Sequence, residues 1–165
     1  MDLPTVVLAQ LKEQKAVKRK MDKFSNQLKI AFASQYTFAL KAQNFHWNVE
    51  GSDFYQLHKL FEDIYDEVYG SIDDFAENIR KIKSYTPASL YRFSTLTNID
   101  DEVEILTPQQ MVEQLLADAE KMQEIMKVLF VESEANKEYG LSDFIAGRQD
   151  AFAKHAWFLR ATSKA

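Results

Sequence analysis

Cysteine is absent from the 165-residue chain, and glycine and proline are scarce, with only four and three residues respectively. The lack of cysteine excludes disulfide bonds, thiolate metal sites and a cysteine nucleophile. Average usage would give roughly 20 glycine and proline residues together in a chain of this length. So few turn-forming residues favour a handful of long helices over many short strands.

Long apolar runs and a basic leader are also missing. The chain begins with an acidic Met1–Pro4 stretch, and the apolar residues that follow stop at Ala9, which is not the pattern of a signal peptide. No stretch approaches the 18 or more apolar residues that a membrane-spanning helix requires. With 46% hydrophobic residues, we expect one cytoplasmic domain over residues 1–165 and no membrane partner.

Apolar residues recur every three or four positions in the first half of the chain, which is the period of an amphipathic helix. The first predicted helix runs from Ser25 to about Trp47. Gly51 is expected to end this helix, and Ser52 or Asp53 to cap the next. The second apolar seam is almost unbroken and predicts one helix over residues 54–79.

The second half of the chain predicts a long connection followed by two more helices. Residues 84–107 lose the helical period, apart from one short helix around residues 89–93. The residues from Thr107 to Gln110 fit a capping box that begins a third helix, which continues to Gly140. Ser142 is expected to cap a fourth. The sequence therefore predicts an all-α, four-helix bundle over residues 25–162, with a long crossover between its second and third helices.

Two pairs of potential metal ligands lie four residues apart on the second predicted helix: His58 with Glu62, and Asp73 with Glu77. Each pair alone is also typical of a solvated helix face. His46 lies near the end of the first helix, which a short turn places antiparallel to the second, so His46 and His58 are expected to meet. Imidazole and carboxylate ligands together suit Fe(II), Mn or Zn.

The two pairs are too far apart to bind one metal ion within a single chain. At ~1.5 Å per residue, Asp73 lies roughly 22 Å from His58 along the helix. Either the pairs are unrelated, or a second subunit supplies the missing ligands. In a twofold dimer with antiparallel second helices, the Asp73/Glu77 end of one subunit faces the His46/His58/Glu62 end of the other, twice per dimer. Gly70 lies near the expected crossing point, where it would allow close approach.

These residues resemble the Dps (DNA-protection-during-starvation) mini-ferritins of the ferritin-like superfamily. The resemblance rests on His-Trp-Asn-Val-Glu-Gly at residues 46–51, Leu-His at 57–58, Phe-Glu at 61–62 and Asp-Asp-Phe-Ala-Glu at 73–77. A closing motif, His-Ala-Trp-Phe-Leu-Arg-Ala at residues 155–161, extends it to the last helix. The chain departs from the family pattern in two places, at Glu62, where the family has Asp, and at Phe152, where it often has His.

The resemblance implies a hollow homododecamer with ferroxidase sites at its twofold interfaces. One subunit would supply His46, His58 and Glu62, and its neighbour would supply Asp73 and Glu77. The implied activity is oxidation of Fe(II) by hydrogen peroxide, in preference to dioxygen, followed by storage of Fe(III) mineral. Acidic pores would admit the iron, with Glu134, Glu138 and Asp143 as candidates. Trp47 is expected to be buried in the core, the alternatives being packing on the site or interception of oxidising equivalents.

The segment ahead of the first bundle helix, residues 1–24, is basic in a chain of net charge -5. Residues 10–23 contain two acidic side chains and six basic ones: Lys12, Lys15, Lys18, Arg19, Lys20 and Lys23. Such a segment could contact DNA phosphates and associate with the nucleoid. Two alternatives to the ferroxidase cage remain open. One is a DNA-compacting protein with a vestigial iron site, and the other is a helical assembly module whose histidines and acids are only polar surface.

Overall fold

The computed structural model describes residues 5–164, and the predicted features at residues 1–4 lie outside this range. The described residues form helices joined by turns and loops, without strands. In chain order the helices are α1 (Thr5–Asn48), α2 (Phe54–Gly70), α3 (Ile72–Lys81), α4 (Leu90–Leu96), α5 (Pro108–Ala135) and α6 (Tyr139–Thr162).

Four helical rods enclose one apolar core, which confirms the predicted four-helix bundle. The first rod is α1, the second is α2 followed by α3, the third is α5 and the fourth is α6. Helix α1 packs against α2, α3, α4 and α5, while α5 pairs with α6. The core is rich in phenylalanine, including Phe38, Phe61 and Phe75, which are fully buried. Phe152 is buried as well, with its ring centroid 5.3 Å from that of Phe38. The residue that departs from the family pattern in the last helix therefore serves packing.

Helix α1 begins at Thr5 rather than at Ser25, so the predicted start of the first helix is wrong. Residues 5–20 continue the helix as an exposed arm, and burial begins at Phe24. Val6 is 69% exposed and Val17 is 59% exposed, so the arm does not dock on the subunit's own core. Of the helices between residues 5 and 164, none combines the length and apolar character needed to cross a membrane.

The second rod is broken at Ser71, where an unbroken helix was predicted. The Ser71 amide donates to the carbonyl oxygen of Val68 at 3.1 Å, and the Ser71 hydroxyl donates to the same oxygen at 2.7 Å. These bonds span three residues and tighten the chain locally. Helix α3 then begins with Asp73 and Asp74 in its first turn, where acidic side chains interact favourably with the helix dipole.

The predicted capping box at the start of α5 is confirmed. The Gln110 amide donates to Thr107 Oγ1 at 3.3 Å, and the Thr107 amide donates to Gln110 Oε1 at 2.9 Å. The predicted short helix is present as α4, whose Ser89 side chain accepts a hydrogen bond from the Arg92 amide. Together these elements fix the long crossover between the second and third rods.

The turn between the first and second rods lies where the sequence predicts it, whereas the last turn does not. Gly51 adopts a φ of +113°, a conformation that favours glycine, and ends the first rod as predicted. Asp53 occupies the N-cap position of α2 without a capping hydrogen bond from its side chain. The final turn lies at residues 136–138, with Lys137 at a φ of +60°, and not at Gly140. Ser142 consequently lies inside α6 instead of capping it.

Candidate metal centre

His46 and His58 meet at the end of the bundle where α1 gives way to α2. Their imidazole rings stack with centroids 3.7 Å apart and an interplanar angle of 20°. Phe54 lies beside His58, and Tyr65 packs edge-on against His46 with ring centroids 5.2 Å apart. The convergence expected from the antiparallel arrangement of the two helices is therefore present.

Two reciprocal hydrogen bonds fix the protonation pattern of this pair. His46 Nδ1 donates to the carbonyl oxygen of His58 at 2.7 Å, and His58 Nδ1 donates to the carbonyl oxygen of His46 at 2.7 Å. Because a carbonyl oxygen can only accept, each Nδ1 carries hydrogen. In the neutral rings both Nε2 atoms then have a free lone pair, the form in which imidazole binds a metal ion.

Glu62 lies one turn after His58 and is engaged by a lysine. Lys59 Nζ lies 2.9 Å from Glu62 Oε2 and 2.8 Å from Asp63 Oδ1. The hydrogen bond from Lys59 is the main cause that lowers the pKa of the Glu62 carboxyl, with a smaller contribution from His46. Glu62 is therefore held ionised, as a metal ligand must be, but with an ammonium group beside it.

Asp73 and Glu77 lie on α3, beyond the break at Ser71, and both are exposed. Between residues 5 and 164 of one chain, no three His, Asp or Glu side chains are gathered closely enough to hold a metal ion. The single chain thus pairs His46 with His58 but does not bring the five predicted ligands together.

A polar network that joins the buried side chains of Arg148, His155 and Gln35 to the partly exposed Glu67 was not predicted from the sequence. Arg148 on α6 donates to both carboxylate oxygens of Glu67 on α2, and His155 Nε2 lies 2.8 Å from Glu67 Oε2. Partial burial alone would raise the pKa of Glu67, but the hydrogen bonds from His155 and Arg148 outweigh it and lower the pKa to about 2. The Glu67 carboxylate is therefore ionised at neutral pH.

The network continues across the bundle to the helix break. Gln35 Oε1 on α1 accepts from Arg148 Nε at 3.3 Å, while Gln35 Nε2 donates to the Ser71 hydroxyl at 2.7 Å. The sequence did contain a signal for this arrangement. Gln35 and Arg148 occupy apolar positions in the helical pattern, where a buried polar side chain needs partners.

Trp47 follows His46 directly but points away from the core. Its side chain is 64% exposed in the single chain, so the expected core burial is wrong for the isolated subunit. A large aromatic side chain left in water beside the histidine pair is available for contact with another subunit.

The chain matches the model of the ferritin-like domain over residues 25–164. It is 34% identical to DNA protection during starvation protein 2 of Bacillus anthracis over 122 residues, which cover 73% of this chain and 83% of that protein. The chain belongs to the Dps family of ferritin-like proteins. The resemblance of residues 46–77 to the Dps pattern is thereby confirmed at the level of the family.

Two solved Dps structures share the fold. The Dps protein from Bacillus brevis has a TM-score of 0.83 at 26% identity, covering 87% of this chain and 97% of its own. The Dps protein from Vibrio cholerae O1, a member of a broad superfamily of ferritin-like diiron-carboxylate proteins, has a TM-score of 0.82 at 21% identity. That alignment covers 87% of this chain and 90% of the Vibrio protein.

Proposed function

We propose that this Dps protein is a ferroxidase that oxidises Fe(II), preferably with hydrogen peroxide, and stores the resulting Fe(III) mineral. The assembly is a cytoplasmic homododecamer with a central cavity, and each site lies between two subunits. Consumption of Fe(II) and peroxide together suppresses hydroxyl-radical formation and so protects DNA. Iron is here the substrate and the stored cargo.

The observation that carries this proposal is the reciprocal hydrogen bonding of His46 and His58. It leaves the Nε2 atoms of the two stacked rings available to a metal ion, one helical turn before the ionised carboxylate of Glu62. These three groups form half of a ligand set, because two imidazoles and one carboxylate leave coordination positions open. Asp73 and Glu77 of a neighbouring subunit are the proposed other half.

The proposed reaction takes one electron from each of two ferrous ions. Hydrogen peroxide accepts both electrons, its O–O bond breaks, and two protons complete two water molecules. The histidines and carboxylates orient Fe(II), and the negative charge of the carboxylates stabilises the ferric product. Hydrolysis of Fe(III) then deposits mineral in the cavity. Iron is proposed to enter through pores lined by acids at the α5–α6 turn, with Glu134, Glu138 and Asp143 as candidates.

Two adjacent aspartates on α3 provide a matched test of the proposed acid ligands. Both Asp73 and Asp74 are exposed in the first turn of α3, but only Asp73 belongs to the proposed site. Replacing Asp73 with Asn should slow Fe(II) oxidation by peroxide at least tenfold, while Asp74→Asn should retain the wild-type rate in stopped-flow measurements. Equal rates for the two variants would contradict the assignment. Loss of both imidazoles, in His46→Ala/His58→Ala, should abolish fast oxidation with the assembly intact.

DNA binding is a second proposed function, supported by the exposed helical arm of α1. Lys12, Lys15, Arg19 and Lys23 follow the spacing that places side chains on one face of a helix. Lys18 lies apart from this face, and Lys20 donates to the carbonyl oxygen of Ala135 at 3.3 Å, which ties the arm to α5. Four aligned cations on an exposed helix match the repeated phosphates of a DNA backbone.

Deletion of residues 1–24 tests the DNA proposal separately from iron oxidation. The full-length assembly should shift DNA in gels at low salt and lose that shift as salt rises, because phosphate contacts release counterions. The truncated assembly should give no shift while retaining Fe(II) oxidation. The absence of any shift by the full-length protein at low salt would contradict DNA binding.

A further inference from the structure

We propose that the hydrogen-bonded chain of Ser71, Gln35, Arg148 and Glu67 sets the angle between α2 and α3 and thereby positions the two ligand pairs for the metal. This inference rests on the proposed shared site. It assigns a positioning role to residues that do not contact the metal and lie outside the predicted ligand set.

These hydrogen-bonded residues hold the second rod just before the break, at Glu67, and at the break itself, at Ser71. Glu67 is held from α6 by Arg148, and Ser71, one turn later, is held from α1 by Gln35. Arg148 and Gln35 are joined to each other by the bond from Arg148 Nε to Gln35 Oε1. Two rigid neighbouring helices thus hold the second rod just before and at the point where its helical pattern is interrupted.

Every member of the chain has a defined orientation. Gln35 is fully buried and uses its oxygen toward Arg148 and its nitrogen toward Ser71, so a flipped amide would lose the bond from Arg148 and would leave Ser71 to choose between Gln35 and Val68 as acceptor. The Ser71 hydroxyl accepts from Gln35 and donates to Val68, so it has one arrangement as well. Gln35 and Arg148 lie in the close-packed interior, and their hydrogen bonds to Ser71 and Glu67 resist small rotations of the rod.

The break lies between the two ligand pairs, where a small change of angle has a large effect. His58 and Glu62 precede it on α2, while Asp73 and Glu77 follow it on α3. Glu77 lies six residues beyond Ser71, or roughly 9 Å along the axis. A bend of roughly 20° there would move it by roughly 3 Å, whereas metal–ligand distances tolerate only about 0.2 Å.

Replacing Ser71 with Ala tests this role, and Ser133 offers a matched control. Ser133 is fully buried where Ser71 is half-buried, and its hydroxyl likewise donates to the carbonyl oxygen three residues earlier, at 2.9 Å, but it lies on α5 away from the network. Ser133→Ala therefore removes the same local hydrogen bond without touching the break. Ser71→Thr keeps the hydroxyl and serves as the rescue variant.

Cobalt(II) titration of the full assemblies gives the readout, with absorbance reporting both affinity and coordination geometry. Ser71→Ala should weaken binding roughly tenfold or more and alter the spectrum, while Ser133→Ala and Ser71→Thr should match the wild type. Gln35→Met, which removes both amide bonds, should weaken binding in the same direction. A crystal structure of Ser71→Ala should show a changed angle between α2 and α3.

Two results would overturn the inference. One is wild-type cobalt affinity and spectrum in Ser71→Ala with only a lowered melting temperature, which would make the chain purely structural. The other is equal loss in Ser133→Ala, which would show a general effect of losing a buried hydroxyl. A wild-type assembly that binds no cobalt would instead contradict the shared site itself, and the positioning role would fall with it.

Discussion

At the scale of single residues, the decisive feature is that two histidines orient each other through the backbone. Each Nδ1 of the pair His46 and His58 donates to the carbonyl oxygen of the other residue. A backbone carbonyl is one of the usual outer partners that hold a metal-binding imidazole, and here each residue supplies it for the other. Both Nδ1 atoms are thereby engaged within a single chain, which leaves the two Nε2 atoms for the proposed metal.

Lys59 opposes metal binding at Glu62, and its removal should tighten that binding. Because a metal ion must displace the Lys59 ammonium from the Glu62 carboxylate, Lys59→Met should increase cobalt affinity roughly two- to fivefold at neutral pH. The same change removes the main cause that lowers the pKa of Glu62, so protons should begin to compete with the metal at a higher pH than in the wild type.

Lys127 provides the control for that substitution. It forms a comparable exposed ion pair with Glu124 three residues away on α5, far from the histidines in the chain. Cobalt titrations of Lys127→Met should match the wild type from acid to neutral pH. Unchanged or weaker cobalt binding by Lys59→Met at neutral pH would show that Lys59 does not compete with the metal.

Glu67 should contribute stability that depends on pH in a defined direction. Its pKa in the folded chain is about 2, against 4.5 as the ordinary value, so the contribution is present above about pH 4.5 and is lost as the pH falls toward 2. At pH 7, Glu67→Gln should cost about 1–2 kcal/mol in free energy of unfolding, because it removes the charge partner of the buried Arg148, while the 38% exposure of the Glu67 side chain lets solvent screen the pair.

Urea unfolding at a series of pH values measures this difference. The difference in free energy of unfolding between the wild type and Glu67→Gln should decrease steadily below about pH 4.5. Glu120→Gln is the control, because its ion pair with Arg160 is half-exposed and should be worth less than about 1 kcal/mol. A gap that stayed constant down to acid pH would contradict the role given to the Glu67 carboxylate.

At the scale of helices, periodicity predicted which segments are helical, and tertiary contacts decided where they end. The apolar seam through Val68, Ile72 and Phe75 stays in phase across Ser71, so it predicts one helix. The break is stabilised by a contact between Ser71 and Gln35, which lies 36 residues away. No local pattern contains that contact, whereas the capping box at Thr107 is entirely local and could be predicted.

The exposed arm of α1 shows a second limit of predicting helices from apolar periodicity. Residues 5–20 are exposed, so they have no buried face for periodicity to report. Their helix is supported instead by the good helix formers Ala, Leu, Gln, Lys and Glu. The apolar spacing of Val6, Val7 and Leu11 predicts that part of this segment is helical and docked; the helix is present, but these side chains are exposed and the expected docking is wrong.

The capping box should make a measurable contribution to the stability of the bundle. Thr107→Ala removes the side-chain acceptor for the Gln110 amide, and we expect a loss of about 1 kcal/mol in free energy of unfolding. Thr107→Ser keeps the hydroxyl and should lose much less. Thermal or urea unfolding of both variants measures the difference, and equal losses would show that the methyl group, not the cap, is responsible.

At the scale of the whole molecule, one chain carries the two groups of proposed ligands far apart, with His46, His58 and Glu62 near the start of α2 and Asp73 and Glu77 on α3. The sequence was sufficient to pair His46 with His58 and to show that Asp73 lies too far along the rod to join them. The contact of Lys59 with Glu62 follows the spacing of neighbours on one helix face, so the sequence also contained that signal. Completion of the set by Asp73 and Glu77 of a second subunit is a relation between chains, which the fold of one subunit does not contain.

Complementation between two inactive variants tests the shared site most directly. One variant carries His46→Ala and His58→Ala, and the other carries Asp73→Asn and Glu77→Gln. In an assembly of equal amounts of both, a shared site is intact when its histidines come from the second variant and its acids from the first, which holds for about a quarter of the sites. We therefore predict about a quarter of the wild-type rate of Fe(II) oxidation from co-expressed subunits, and almost none from either variant alone. A mixed assembly as inactive as its parents would contradict the shared site.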